Sequence, residues 1–174
     1  MTEPNDRSFM SEYCVTYRSG LERPFSVDGF DCATNGHVLL MMPGAMFEPN
    51  AAAPCLDKTL ATKMTKVATV PFQALRRWGF TAGALHDTCE VCASESGQII
   101  TVGLLCGRRV NRRLLGKALL PLRAETVDIH VGEELEPLLI ECPEWRLFVM
   151  PVKCVEGDEF EFPRKSAQKE RGAK

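Results

Sequence analysis

Short apolar runs bounded by turn residues recur along the chain, and such runs predict β-strands. Such runs, rich in β-branched and aromatic residues, occupy residues 13–17, 25–32, 37–42, 67–70, 88–93, 98–102, 104–109, 126–131, 138–142 and 146–152. Only two segments have helical signals. Pro71 and Gly79 flank a short predicted helix over residues 72–78, and Asn111 is a suitable N-cap for a second helix that runs to about Leu120.

The order of these elements is a helix followed by about three strands, twice in succession. This repeat predicts an α+β fold, with a mostly antiparallel sheet and two short helices in repeated αβββ units. Thr34-Asn35-Gly36 predicts a tight hairpin turn, because Asn and Gly both tolerate positive φ. The proline-containing residues 43–62 predict a connection without regular structure.

The domain organisation follows from the same pattern. We expect a flexible N-terminus over residues 1–11, one domain over residues 12–153 and a solvated, charged tail over residues 154–174. Within the domain, the three units are residues 12–66, 67–109 and 110–153. The 174 residues are enough for one domain with its own core.

Charge and composition limit the classes of partner. The net charge of −2 gives no overall positive field, so any contact with DNA must come from a local basic patch. No apolar run approaches the ~20 residues of a membrane span, and the N-terminus lacks the pattern of a secretory signal. We therefore expect a cytoplasmic protein without membrane contact, in which the eight cysteines are reduced thiols.

Metal chemistry is the main alternative that the residues suggest. His86, Cys89 and Cys92 provide three potential zinc ligands, and Cys106 would have to be the fourth. If residues 88–93 form a strand, Cys89 and Cys92 point to opposite faces, which favours ordinary thiols in a sheet. A zinc-stabilised domain of unrelated function stays open. Catalytic and nucleotide-binding motifs are absent from the sequence, so we expect a protein that is not an enzyme and holds neither cofactor nor metal.

Basic residues cluster on the two predicted helices. On the second helix, a face of leucines and Ala118 is opposed by Arg112, Arg113 and Lys117, and the first helix carries Arg76 and Arg77. Most helical charges belong to a solvated outer face. A surface that contacts DNA phosphates without reading sequence is the functional interpretation of the same residues.

Two segments together resemble bacterial beta sliding clamps, the processivity factors of the replicative DNA polymerase. Residues 110–153 are similar to the final αβββ unit of that family. The matching positions are Asn111, Leu115, Ala118 and Leu119 on the helix, Val127, Ile129 and Val131 on the next strand, and the ending Val149-Met150-Pro151-Val152-Lys153. Upstream, Ala33-Thr34-Asn35-Gly36-His37-Val38-Leu39 resembles the segment A-T-D-G-H-R-L of a middle clamp domain. Asn35 and Val38 depart from that segment, and a full clamp is about twice as long.

The resemblance implies a DNA-clamp-like fold and a role in DNA replication, in a relative from a phage or mobile element. It implies a pocket for short peptides of a polymerase or clamp loader, lined by Thr34, Gly36, His37, Leu39, Val149, Met150 and Pro151. It also implies that Arg76, Arg77, Arg112, Arg113 and Lys117 contact double-stranded DNA non-specifically, in a homo-oligomer if a ring forms. The alternative is a monomeric protein-interaction module, a decoy or adaptor that keeps the peptide pocket without encircling DNA.

Overall fold

A seven-stranded sheet organises the protein in this computed structural model, which describes residues 7–16, 20–50, 56, 59, 62–80, 102–133, 136–152 and 160–162. The strands are β1 (Phe25–Val27), β2 (Phe30–Thr34), β3 (Val38–Pro43), β4 (Thr65–Pro71), β5 (Val102–Leu105), β6 (Arg108–Asn111), β7 (Thr126–Val131), β8 (Leu138–Cys142), β9 (Trp145–Val149) and β10 (Phe160–Phe162). The helices are a 3-10 helix (Ser8–Tyr13), α1 (Phe72–Phe80) and α2 (Arg112–Leu119).

The large sheet has the strand order β1-β2-β3-β9-β8-β7-β4, and its neighbouring strands are all antiparallel. Its central pair, β3 and β9, joins the N-terminal hairpin to the C-terminal strands, with Val38 opposite Val149 and Leu40 opposite Leu147. A small second sheet has the order β10-β5-β6, in which β10 is parallel to β5. The α+β prediction with a mostly antiparallel sheet is therefore confirmed.

The main core lies between one face of the large sheet and the helices. Leu75 of α1 and Leu115 and Leu119 of α2 are fully buried there, and Phe72 meets Trp145 edge to face at 5.9 Å. Because successive residues of a strand point to opposite faces, the other face carries a separate small cluster. Its buried members are Phe25, Cys32, Leu39, Met41 and Phe148.

Elements with strong local signals are confirmed. β7 and β8 have the predicted bounds, and the hairpin between β2 and β3 turns at Asn35-Gly36, where Gly36 has φ 86. The Asn111 side chain accepts a hydrogen bond from the Leu114 amide at 3.0 Å, so it caps α2 as predicted.

The predicted strand over residues 13–17 is wrong in its described part, because Tyr13 ends the 3-10 helix Ser8–Tyr13 and residues 14–16 are not in a strand. This helix includes residues 8–11 of the expected flexible terminus and buries Met10 and Tyr13 in the main core. The Tyr13 hydroxyl donates a hydrogen bond to the Ala118 carbonyl of α2. The tertiary contact therefore overrides the β preference of the local sequence.

Two predicted strands are each interrupted by a tight turn. Residues 25–32 divide into β1 and β2 at Asp28-Gly29, with φ values of 50 and 79. Residues 104–109 turn at Cys106-Gly107, with φ values of 50 and 78, so that β5 pairs with β6. Positive φ at both central residues matches the twist of a two-residue hairpin.

Other boundaries also differ from prediction. Helix α1 continues through Gly79 to Phe80, the last strand of the large sheet ends at Val149, and residues 160–162 of the predicted tail form β10. Several predictions fall outside the described residues. These are the strand at residues 88–93, most of the strand at residues 98–102, and the candidate zinc ligands His86, Cys89 and Cys92. In the last αβββ unit, α2-β7-β8-β9, all four elements are described, whereas residues 134–135 between β7 and β8 are not. No helix in the described ranges is long and apolar enough to cross a membrane.

Candidate functional site

Two segments from opposite ends of the domain meet at one end of the central strands β3 and β9 of the large sheet. The Met150 amide donates a hydrogen bond to the His37 carbonyl at 2.8 Å, which continues the pairing of Val38 with Val149. The Thr34-to-Leu39 segment and the Val149-to-Pro151 segment are thus direct neighbours. We call their exposed part, made of Gly36, His37, Met150 and Pro151, the corner surface.

The turn that begins the corner surface is held by its own side chains. The Thr34 hydroxyl donates to the Val38 carbonyl at 2.6 Å and accepts from the Gly36 amide at 3.0 Å. Asn35 Oδ1 accepts from the amides of His37 and Val38 at 2.9 and 3.0 Å. Only an acceptor oxygen is needed here, so asparagine does the work that an aspartate carboxylate would do in this turn.

The seven predicted pocket residues divide into exposed and buried positions. Met150 is 42% exposed, Gly36 and His37 are exposed, and Pro151 is half-buried. Thr34, Leu39 and Val149 are buried. Leu39 belongs to the small cluster, whereas Val149 packs into the main core on the opposite face of the sheet. The three buried residues therefore support the corner surface from beneath.

Sequence reasoning missed the neighbours that complete the small cluster. Phe148 stands directly opposite Leu39 across the pairing of β3 and β9, and Leu56 and Met64 pack against the same cluster. The period of two along β9 was a usable signal for Phe148, because it places that side chain on the face opposite to Val149. Nothing local in the sequence marks Leu56 or Met64.

The basic residues of the two helices do not share one environment. Arg77, Arg113 and Lys117 are exposed and Arg76 is half-buried. Neither α1 nor α2 contains an acidic residue. The charged side chains of the helix pair are therefore all basic, on a chain whose net charge is −2.

Arg112 is a correction to the sequence analysis. It was placed on the polar face of α2, but it is only 1% exposed. Its Nε and Nη2 donate to the Trp78 carbonyl at 3.1 and 2.7 Å, and its guanidinium carbon lies 5.0 Å from the centroid of the Trp78 ring. A helical projection does not include the neighbouring helix, which covers this side chain. Arg112 therefore cannot contact a duplex in this arrangement.

Charges on the face of the sheet that carries the small cluster are paired with one another. Lys66 lies 2.8 Å from Asp128, and the Thr69 hydroxyl donates to the same carboxylate at 2.7 Å. These hydrogen bonds from Lys66 and Thr69 hold the pKa of Asp128 below its ordinary value. Glu141 pairs with both His130 and Arg146 at 3.1 Å.

A cavity of about 390 Å³ opens beside these pairs, lined by Phe30, Pro43, Glu141, Arg146 and neighbouring residues. Because Pro43 and Trp145 close the far ends of β3 and β9, the cavity is at the end of those strands away from the corner surface.

Two of the described cysteines, Cys32 and Cys142, have thiols with raised pKa values. Burial raises the pKa of Cys32 to about 12 and that of Cys142 to about 11. A thiol with such a pKa is protonated at neutral pH and is a poor nucleophile. Within the ranges described above, no three His, Cys, Asp or Glu side chains are grouped to hold a metal ion.

Solved structures of bacterial DNA polymerase III beta subunits have a similar fold. A putative beta subunit from Eubacterium rectale aligns with 80% of this chain and 60% of its own, at a TM-score of 0.50 and 9% identity. The beta subunit of Caulobacter crescentus aligns with 75% of this chain and 57% of its own, at 0.49 and 10%. The Helicobacter pylori beta clamp, solved with a DNA ligase peptide, covers 71% of this chain and 41% of its own, at 0.41 and 15%.

The Eubacterium rectale structure identifies the architecture as that of a sliding clamp, and it confirms the predicted resemblance at the level of fold. The chain spans between about two fifths and three fifths of the length of these solved proteins. No protein-family model matches the sequence, and no curated protein matches it.

The first prediction concerns the turn of the corner surface. Asn35→Ala removes the acceptor of two amide hydrogen bonds, and we expect a loss of about 1 kcal/mol in the free energy of unfolding, measured by urea denaturation. Asn35→Asp keeps an acceptor oxygen and should retain the wild-type midpoint. An aspartate variant as unstable as the alanine variant would contradict the assigned role.

Proposed function

We propose that this chain is a sliding-clamp-like, non-enzymatic protein of DNA replication. It binds double-stranded DNA non-specifically through the basic side of α1 and α2, and it holds short peptides of a polymerase or clamp loader at the corner surface. The observation that carries the proposal is the hydrogen bond from Met150 to His37, because it brings the two clamp-like motif segments together. The sliding-clamp fold agrees with this proposal.

The chemistry of the corner surface suits an apolar peptide anchor. Met150 is exposed beside Pro151, and methionine adapts its shape to different apolar partners. Gly36 has no side chain, so a peptide backbone can approach closely. The buried residues beneath, Leu39 and Val149, fix the backbone on both sides of the corner and preform the surface.

The chemistry of the helix pair suits phosphate. Arg77, Arg113 and Lys117 are exposed, Arg76 is partly exposed, and no acidic residue lies on either helix. Cations of this kind contact the DNA backbone without reading its sequence. Affinity should then depend steeply on salt, because each phosphate contact releases counterions. Arg112 is not part of this surface.

A second candidate is the monomeric protein-interaction module, and the edges of the large sheet favour it. Edge strand β4 has a register irregularity between Lys66 and Ala68 and ends at Pro71, and the opposite edge strand β1 has three residues. Bulges, prolines and short edge strands all hinder pairing with another chain. Such a protein would capture clamp-binding peptides without forming a ring.

Light scattering coupled to size exclusion distinguishes the two candidates. A ring of this chain requires several copies with closed symmetry, so the leading proposal is expected to yield one oligomer of uniform mass over a wide concentration range. A monomer at all concentrations would remove the ring and leave the peptide-binding module.

The peptide surface is tested by Met150→Asp. We expect at least a tenfold loss of affinity, about 1.4 kcal/mol, for a fluorescent peptide that carries the clamp-binding segment of a bacterial replicative polymerase, measured by anisotropy. An introduced carboxylate must be desolvated when an apolar anchor docks against it. The matched control is Met46→Asp, which changes a methionine of 59% exposure outside the corner surface. Unchanged binding by Met150→Asp, with cooperative unfolding intact, would remove the peptide assignment.

The DNA surface is tested by charge reversal on α2. The double variant Arg113→Glu and Lys117→Glu should lose measurable binding to a 30-base-pair duplex, because two attractive contacts become repulsive. Peptide affinity should stay at the wild-type value. Lys63→Glu reverses an exposed charge outside the helices and is the control. Equal DNA affinity in the double variant and the control would contradict the proposed DNA surface.

A further inference from the structure

We propose that Arg112 is a positioning residue that holds α1 and α2 in one fixed relation, so that the cations of both helices act as a single phosphate-binding surface. This inference rests on the proposed DNA binding. It replaces the direct DNA contact expected from the sequence with an indirect role, because the side chain is 1% exposed.

The guanidinium of Arg112 ties the first residue of α2 to the last turn of α1. Trp78 lies within the last four residues of α1, where helix carbonyls have no partner inside the helix. Two nitrogens of the fork, Nε and Nη2, donate to the Trp78 carbonyl at 3.1 and 2.7 Å. The positive charge also lies at the negative end of the α1 dipole and over the Trp78 ring, at 5.0 Å from its centroid.

The backbones of the two helices touch at a pair of glycines. A Cβ added to Gly79 would lie 2.8 Å from the Gly116 Cα, and one added to Gly116 would lie 2.9 Å from the Gly79 carbonyl carbon and oxygen. Both distances are shorter than any normal carbon contact, so each glycine is required for this spacing. This glycine contact is adjacent to Trp78 in α1 and one turn after Arg112 in α2. The glycine contact and the hydrogen bonds of Arg112 therefore lie at the same crossing point of the two helices.

A third glycine makes room for the arginine stem. A Cβ at Gly103 in β5 would lie 2.8 Å from Arg112 Cγ and 2.8 Å from Trp78 Cζ2. Strand β5 thus lies directly against the Arg112 stem and the Trp78 ring. Arg112 is consequently packed between α1 and β5.

Spacing of the exposed cations follows from this arrangement. Arg77 precedes the contact in α1, and Arg113 and Lys117 lie on either side of it in α2. A duplex presents phosphates at fixed separations, so simultaneous contacts require that the two helices do not shift relative to each other. The number of phosphates contacted at once is therefore the property that Arg112 controls.

Variants at position 112 separate positioning from charge. Arg112→Met keeps a long apolar side chain without hydrogen-bond donors. Arg112→Lys keeps the positive charge, but an ammonium cannot donate from two fixed N–H groups to one carbonyl as the guanidinium does. Binding to a 30-base-pair duplex is measured over a range of salt concentrations, with polymerase-peptide affinity as the fold control. The distance between α1 and α2 is measured by paired spin labels at the exposed positions Gln73 and Leu120, attached through unnatural amino acids because the chain has eight cysteines.

For the wild type we expect one narrow distance distribution. In both variants we expect a broader distance distribution and unchanged peptide affinity. The slope of log DNA affinity against log salt concentration should be smaller in magnitude by about 0.9 for each phosphate contact that is lost. Gly116→Ala forces the helices apart while Arg112 is kept, and it should lower the slope in the same way. If the Arg112 variants do not unfold cooperatively, Gly116→Ala tests the positioning role in their place.

Several results would overturn the inference. Wild-type DNA binding by Arg112→Lys would assign the effect to charge alone. If Arg112→Met or Gly116→Ala keeps the wild-type dependence of DNA affinity on salt, Arg112 has no positioning role. The same follows if that dependence becomes weaker while the distance between the helices does not change. In both cases the proposed DNA binding stands. If the wild-type protein itself does not bind the duplex, the proposed DNA function fails, and this inference fails with it.

Discussion

The antiparallel pairing of β3 with β9 is the interaction on which the rest of the structure depends. It joins the three strands β1-β2-β3, from the first third of the domain, to the four strands β9-β8-β7-β4, and thereby makes one seven-stranded sheet from two smaller groups of strands. Closing so long a loop costs only slightly more entropy than closing a short one. In return, Leu40 and Leu147 become fully buried in the main core.

The same pairing creates two chemically different sides. Helices α1 and α2 cover one face of the sheet and present basic side chains outward, without an acidic residue on either helix. On the opposite face, Lys66 pairs with Asp128, and Glu141 pairs with His130 and Arg146. Net charge therefore describes this protein poorly, because the charged residues of the two helices are all basic, whereas ion pairs bring both signs together on the opposite face.

Local backbone chemistry explains why the hairpin and the last αβββ unit were predictable. The Thr34-to-Gly36 turn and the Asn111 cap are completed by side-chain hydrogen bonds within four residues. β7 and β8 alternate with a period of two because one face is buried. The conformation in each case is decided by neighbours in sequence, so the sequence pattern contains the relevant physical information.

By itself, the sequence determined the α+β class, these local elements and the two motif segments whose resemblance predicted a clamp-like fold. Only the tertiary structure decided how the two segments meet, with the Met150 amide bonded to the His37 carbonyl, that Tyr13 belongs to a 3-10 helix bonded to α2, and that Arg112 is buried against Trp78. The physical reason is the same for all three. Each depends on a partner far away in the chain, and neither residue type nor spacing specifies which distant carbonyl or ring a side chain will meet.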